Sequence, residues 1–254
     1  MYAIVTPRRP GRSNMFSKPI VKMSPGQRFR HAVVSTESYF FDVIHNVQTS
    51  GYECLTQRTS GGEVRDNFWH LPIRPATARQ VLRDLPVANH SDYTFVDIGS
   101  GKGRMLLLAA QYPFRAVQGI EFVTQLHNTA ERNVTHCRNL HLKCTRIECL
   151  NVDAADYRFP NENLVVYFFH PFGPATMEKV LEHLDTSLER HPRDVILANV
   201  FPETAFLVER LSRLKLYKRT RKYDIHRSTC SAEGEPPSTV RTPAPGTAGS
   251  MSGS

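Results

Sequence analysis

From residue 93 onward, short apolar runs alternate with helical stripes, and few folds accept that alternation. "TFVDI" reads as a strand, "GRMLLLAAQY" as a helix stopped by Pro113, and "AVQGIEF" as a second strand. A helix with Leu126, Ala130 and Val134 on one stripe follows, then "CTRIECL" and "LVVYFFH" as strands three and four. Met177, Val180, Leu181, Leu184 and Leu188 recur at helical spacing, the stripe by which a helix lies on a sheet. "DVILANV" is strand five, Phe206, Leu207 and Leu211 mark another helix, and "LKLYKRTRKYDIHRS" holds two final strands. Strands joined by crossover helices predict an α/β fold whose sheet is doubly wound, mostly parallel and covered on both faces.

Upstream the pattern is different. Residues 1–30 are proline-rich and basic without periodicity, and read as a flexible arm. Residues 31–92 read as a helical cap or substrate region. It holds a short amphipathic helix, "ESYFFDVIHNV", then a looser stretch with Trp69, then a helix opened by Pro75 with Ala78, Val81, Leu82 and Leu85 at helical spacing. The sheet domain spans 93–229. Residues 230–254, mostly Ser, Pro, Gly, Thr and Ala, read as a disordered tail.

The formal net charge is +8, unevenly placed. Residues 1–31 carry seven Lys or Arg and no acid, and residues 210–227 carry eight against Asp224 alone. Such runs attract nucleic acid or an acidic partner, or else form a solvated face. No apolar run approaches the roughly 18 residues that span a bilayer, and the N-terminus lacks the order of a secretory signal. Five cysteines without CxxC spacing suit reduced thiols in a cytoplasm and give no metal framework.

The chemistry concentrates at "TFVDIGSGKGR", residues 94–104. Ligands of open parallel sheets sit beyond the strands' carboxyl ends, and Gly99, Gly101 and Gly103 lie at such an end. A dinucleotide fingerprint spaces its glycines GxGxxG; here the third arrives one residue early and Arg104 stands in the expected place. Asp97 would repel a pyrophosphate but can help hold a cationic amine. Glu121, 22 residues past Gly99, sits where a carboxylate accepts both hydroxyls of a ribose. Asp153 after strand three, or else Asp156, can meet an adenine amino group. Each has a plainer alternative: glycines suit any tight turn, Glu121 could be an exposed acid, and Asp153 could cap a helix.

In order, "VDIGSGKGR", "GIEF", "NVDAADY" and "LVVYFFHPFG" resemble the motif set of class I S-adenosylmethionine-dependent methyltransferases, over roughly residues 70–228. The resemblance implies a Rossmann-like seven-stranded methyltransferase sheet with an N-terminal helical extension. It places Asp97, Gly99, Ser100, Gly101 and Gly103 around the methionine end of S-adenosylmethionine, Glu121 and Phe122 at the ribose, and Asp153 and Ala154 at the adenine. In the motif after strand four, His170 takes the place of an Asn or Asp that orients the nucleophile, and Phe172 that of an aromatic that packs on a flat substrate. Histidine there is a departure from the pattern, and the alternative for His170 is a residue that caps the strand. The narrower similarity is to uncharacterised bacterial methyltransferases with Asn-Pro-Phe at this point, and a more distant one is to non-SET histone lysine methyltransferases. The resemblance leaves the acceptor open among protein side chain, nucleic acid and small molecule. Two other readings stand beside it: a basic RNA- or protein-binding module without catalysis, and a nicotinamide-dependent oxidoreductase, for which no convincing Tyr-x-x-x-Lys device is present.

Overall fold

A computed structural model describes residues 36–51, 53–58, 64–169, 173–201 and 205–229, with side chains left undescribed in 53–58 and 64–69. The expected arm and tail lie outside these residues. Residues 36–45 form helix α1. Strands β1 (Glu53–Arg58) and β2 (Val64–His70) pair antiparallel, and α2 (Pro75–Asp84) follows. The sheet domain then runs β3 (Tyr93–Ile98), α3 (Arg104–Ala109), β4 (Ala116–Ile120), α4 (Thr124–His136) and β5 (Ile147–Leu150). It continues through β6 (Asn163–Phe169), α5 (Pro174–Arg190), β7 (Val195–Val200), α6 (Ala205–Glu209), β8 (Leu214–Arg219) and β9 (Tyr223–Ser228).

The sheet order is β5-β4-β3-β6-β7-β9-β8, parallel through β7 and antiparallel at β9 and β8. Counted from β3 as the first strand, this is 3-2-1-4-5-7-6, the seven-stranded methyltransferase sheet that the sequence implied. The β1–β2 hairpin is a correction: "ECLTQR" and "VRDNFWH" alternate too weakly, and carry too many polar residues, to announce themselves as strands. Strand three is also shorter than expected, starting at Ile147.

Both faces of the sheet are buried, which is why its central strands are apolar throughout; all six residues of β3 and of β7 are buried. On one face Phe95, Val117, Val165, Tyr167 and Ile196 pack with α2 and α3. On the other Val96, Ile98, Val166, Phe168 and Leu197 meet the expected α5 stripe of Met177, Val180, Leu181, Leu184 and Leu188. Gly119 lets α3 lie flat on β4: a Cβ there would stand 2.6 Å from Leu106 Cδ1. Among the described residues no helix is long and apolar enough to cross a membrane.

Helix α3 is buried along its whole length, including Arg104 at 3% exposure. A guanidinium so deep needs partners for its donors, and the upstream region supplies them. Nε donates to Thr49 Oγ1 at 2.7 Å, Nη1 to Ser38 Oγ and the Ile73 carbonyl at 2.9 and 2.8 Å, and Nη2 to Ser50 Oγ at 2.9 Å. Asp42 stands 3.6 Å away and the Phe41 ring 5.4 Å from the guanidinium carbon. Asn133 of α4 completes the joint, bonding the Lys102 carbonyl and both backbone groups of Gln48. Arg104→Met keeps the stem but removes every one of these bonds. It should lower stability by about 3 kcal/mol, the scale for breaking a buried ion pair, and raise amide exchange in 36–51 more than in β6 or β7, measured by urea titration and hydrogen exchange.

Candidate functional site

The sheet's winding reverses at β3, which has β4 on one side and β6 on the other. Past these carboxyl ends lies a crevice of about 990 Å³, counting the part open to solvent. Its floor is the turn between β3 and α3. Gly99, Gly101 and Gly103 have φ of 82°, 54° and 80°, and the Gly99 and Ser100 amides both donate to the Ile120 carbonyl. Gly101 meets two demands at once. Its positive φ disfavours a side chain, and a Cβ there would come within 2.6 Å of His70 Cε1.

Glu121, just past β4 and 7% exposed, pins this turn. One carboxylate oxygen accepts from the Gly101 amide and the other from the Val123 amide, each at 2.8 Å. Burial raises its pKa, opposed by those amides. Asp97, 3% exposed and penultimate in β3, is pushed further: burial first, and then the Glu121 charge, hold its pKa well above the usual carboxylate range. Across the strand pair, in register with Asp97, stands Tyr167. Its hydroxyl and that of Ser100 are buried without a hydrogen-bond partner, and both residues line the crevice. Buried polar atoms are nearly always paired in folded proteins, so two orphans on residues that line one crevice single it out as the candidate site.

The cations nearest the turn, Lys102 and Arg104, also line the crevice, and both bond to the upstream region. Arg104 is engaged with the upstream region, and Lys102 Nζ donates to the Ser50 carbonyl at 3.0 Å. Thus the floor is acidic, with its neighbouring positive charges bonded to the upstream segment.

The sequence-derived residues Asp97, Gly99, Ser100, Gly101, Glu121, Phe122, Asp153 and Ala154 all line this one crevice. Gly103 does not; it is the left-handed residue preceding α3, packed against Ala130. Asp153 also serves as a cap, one oxygen accepting from the Ala155 amide at 3.0 Å. His170 and Phe172 lie outside the described residues. Tyr167 and His70 were missed: the first sits in a run that reads as core, the second in a stretch that reads as loop. The basic run 210–227 is largely consumed within the fold. Arg210, Arg213, Lys218, Arg219 and Arg227 pair with Glu178, Asp185, Asp84, Asp224 and Asp194, leaving Lys215, Arg221 and Lys222 outside these pairs.

No protein-family model matches the sequence, and no curated protein matches it. Solved structures are similar over part of the chain. A ribosomal protein L11 methylase from Lactobacillus delbrueckii subsp. bulgaricus is 15% identical over 62% of this chain and 80% of its own, with a TM-score of 0.44. A predicted N6-adenine-specific DNA methylase from Listeria monocytogenes is 14% identical over 62% of this chain, which spans about half of it (51%), at 0.45. An RNA methyltransferase from Salinibacter ruber, in complex with S-adenosyl-L-homocysteine, is 17% identical over 64% of this chain and 95% of its own, at 0.40. These are likenesses of fold; the arrangement of the sheet rests on the strand order above.

Asp97 carries a stability consequence. Its folded-state pKa lies above its ordinary value of 3.8, so folding takes up a proton between the two values and stability falls as pH rises through that window. Asp97→Asn removes this penalty. Its melting temperature should exceed wild type at alkaline pH by about 2–4 °C, the response of a domain this size to roughly 1 kcal/mol, and the gap should narrow as pH falls toward 3.8. A gap that widens as pH falls would show that the acid is stabilised in its charged form.

Proposed function

We propose that the chain is an S-adenosylmethionine-dependent methyltransferase. The observation that carries the reading is the pair of buried carboxylates, Asp97 and Glu121, flanking a glycine turn whose neighbouring cations are bonded elsewhere. A diphosphate would bring negative charge against two acids, whereas an ammonium and a sugar diol are the groups such acids accept. The orphan hydroxyls of Ser100 and Tyr167, on residues that line the crevice, suit a polar amino acid end.

In this reading Asp97 holds the cofactor's ammonium. Glu121 keeps a second lone pair on each oxygen beyond those taken by Gly101 and Val123, and these accept the ribose hydroxyls. Asp153 reaches the adenine amino group with the oxygen not used in capping, while Phe122 and Ala154 wall the base. Residues 31–92 act as a cap whose 49 and 70–73 positions close the crevice. His170 orients the nucleophile and Phe172 walls the acceptor, as their place after strand four implies. The bound sulfonium supplies an electrophilic methyl, so the protein's task is alignment of the nucleophile behind it. The acceptor belongs to the classes left open by the sequence: protein, nucleic acid or small molecule.

Calorimetric titration tests this. S-adenosylmethionine and S-adenosylhomocysteine should bind while NAD⁺ gives no heat. Asp97→Ala should weaken binding by about 10–100-fold, the scale of a charge-assisted hydrogen bond. Because the ammonium needs ionised Asp97, affinity should fall as pH drops through that residue's pKa. Binding of NAD⁺ with neither sulfur compound bound would overturn the assignment.

A further inference from the structure

Among the described residues lining the crevice, every charged one comes from the glycine turn, the start of α3 or the carboxyl ends of β3, β4 and β5: Asp97, Lys102, Arg104, Glu121 and Asp153. The opposite side, from β6 and α5, presents Tyr167, Phe169 and Thr176. Beside it, at the end of β7, Phe201 sets its ring 5.9 Å from that of Phe169, tilted by 56°.

Phe201 is held in an unfavourable way. Of the three described non-glycine residues with positive φ, two are asparagines, which tolerate that conformation; the third is Phe201 at φ 51°. Its amide donates to the Lys222 carbonyl at 2.7 Å, so the chain is fixed at this point by the β7–β9 ladder. A glycine would make the same turn without strain. Nor does the ring repay the strain by filling the core, since Phe201 is 45% exposed. A strained backbone that presents a half-exposed aromatic beside a crevice is the pattern of a ligand contact.

We propose that the methyl acceptor is presented as a planar ring that packs on Phe169 and Phe201; this rests on the methyltransferase reading above. A ring with a π-face finds two aromatic side chains to pack on, one lining the crevice and one beside it. The shared chemistry is the flat ring, whether of a nucleobase or of a phenol.

The test uses the full chain, with and without S-adenosylhomocysteine. It is titrated with 2-aminopurine riboside, with 2-naphthol, and with Nα-acetyl-lysine methylamide as the ammonium. At least one ring probe should bind more tightly than the lysine amide, and the better of the two identifies the source of the ring. Phe201→Gly should leave the melting temperature at or above wild type and the S-adenosylhomocysteine Kd unchanged, yet weaken the ring probe about tenfold. Phe201→Tyr should restore it, and Phe169→Leu should weaken it in parallel. Ring binding unchanged in Phe201→Gly, or a lysine amide that outcompetes both rings, overturns the proposal. Loss of S-adenosylhomocysteine binding alone, with ring binding intact, indicts the cofactor reading and leaves the ring subsite standing.

Discussion

The structure turns on one buried carboxylate. Glu121 accepts the amides of Gly101 and Val123 at once, and so ties the glycine turn after β3 to the chain leaving β4. A turn of alternating glycines is conformationally loose by itself, because each can take either sign of φ with little penalty. Fixing one amide from a neighbouring strand tip selects a single arrangement of the loop. That arrangement brings the backbone of Gly101 directly against the His70 ring, and both line the crevice.

Charge is sorted around this turn. The acids Asp97 and Glu121 line the crevice in a low-dielectric setting, where burial raises the pKa of both and the Glu121 charge raises that of Asp97 further. Arg104 and Lys102, one and three residues from Gly103 and Gly99, instead serve the upstream segment, which they hold against α3 and the turn. The same turn therefore carries the crevice's buried acids and, through its neighbouring cations, anchors the upstream region beside it. A buried acid kept in an unfavourable state is a stability penalty that function explains better than folding does.

Much of this was legible along the chain. Continuous apolar runs marked β3, β6 and β7, since strands buried on both faces carry few polar residues, and the α5 stripe fell at helical spacing for the same reason. Acids at strand tips could be placed because parallel strands put their carboxyl ends on one side. What escaped had no periodic signal. The β1–β2 hairpin is built from polar segments, Tyr167 is hidden in an apolar run, and the strained φ of Phe201 has no sequence signature. The basic run 210–227 looked like an open patch, yet acids from distant elements meet most of it: Asp84 from α2, Glu178 and Asp185 from α5, and Asp194 from before β7. Exposed pairs of this kind add little stability, but they remove much of the field a polyanion would feel.

The sequence alone determined a doubly wound, mostly parallel sheet and the position of the glycine turn with its acids, because these follow from local periodicity and from chain direction; the order of the strands came with the tertiary structure. Tertiary structure alone decided what each charge bonds: that Arg104, at the crevice wall, reaches Thr49 and Ile73 of the upstream region, and that Phe201 stands beside Phe169. Side-chain direction depends on partners tens of residues away, and no local pattern of residue types records them.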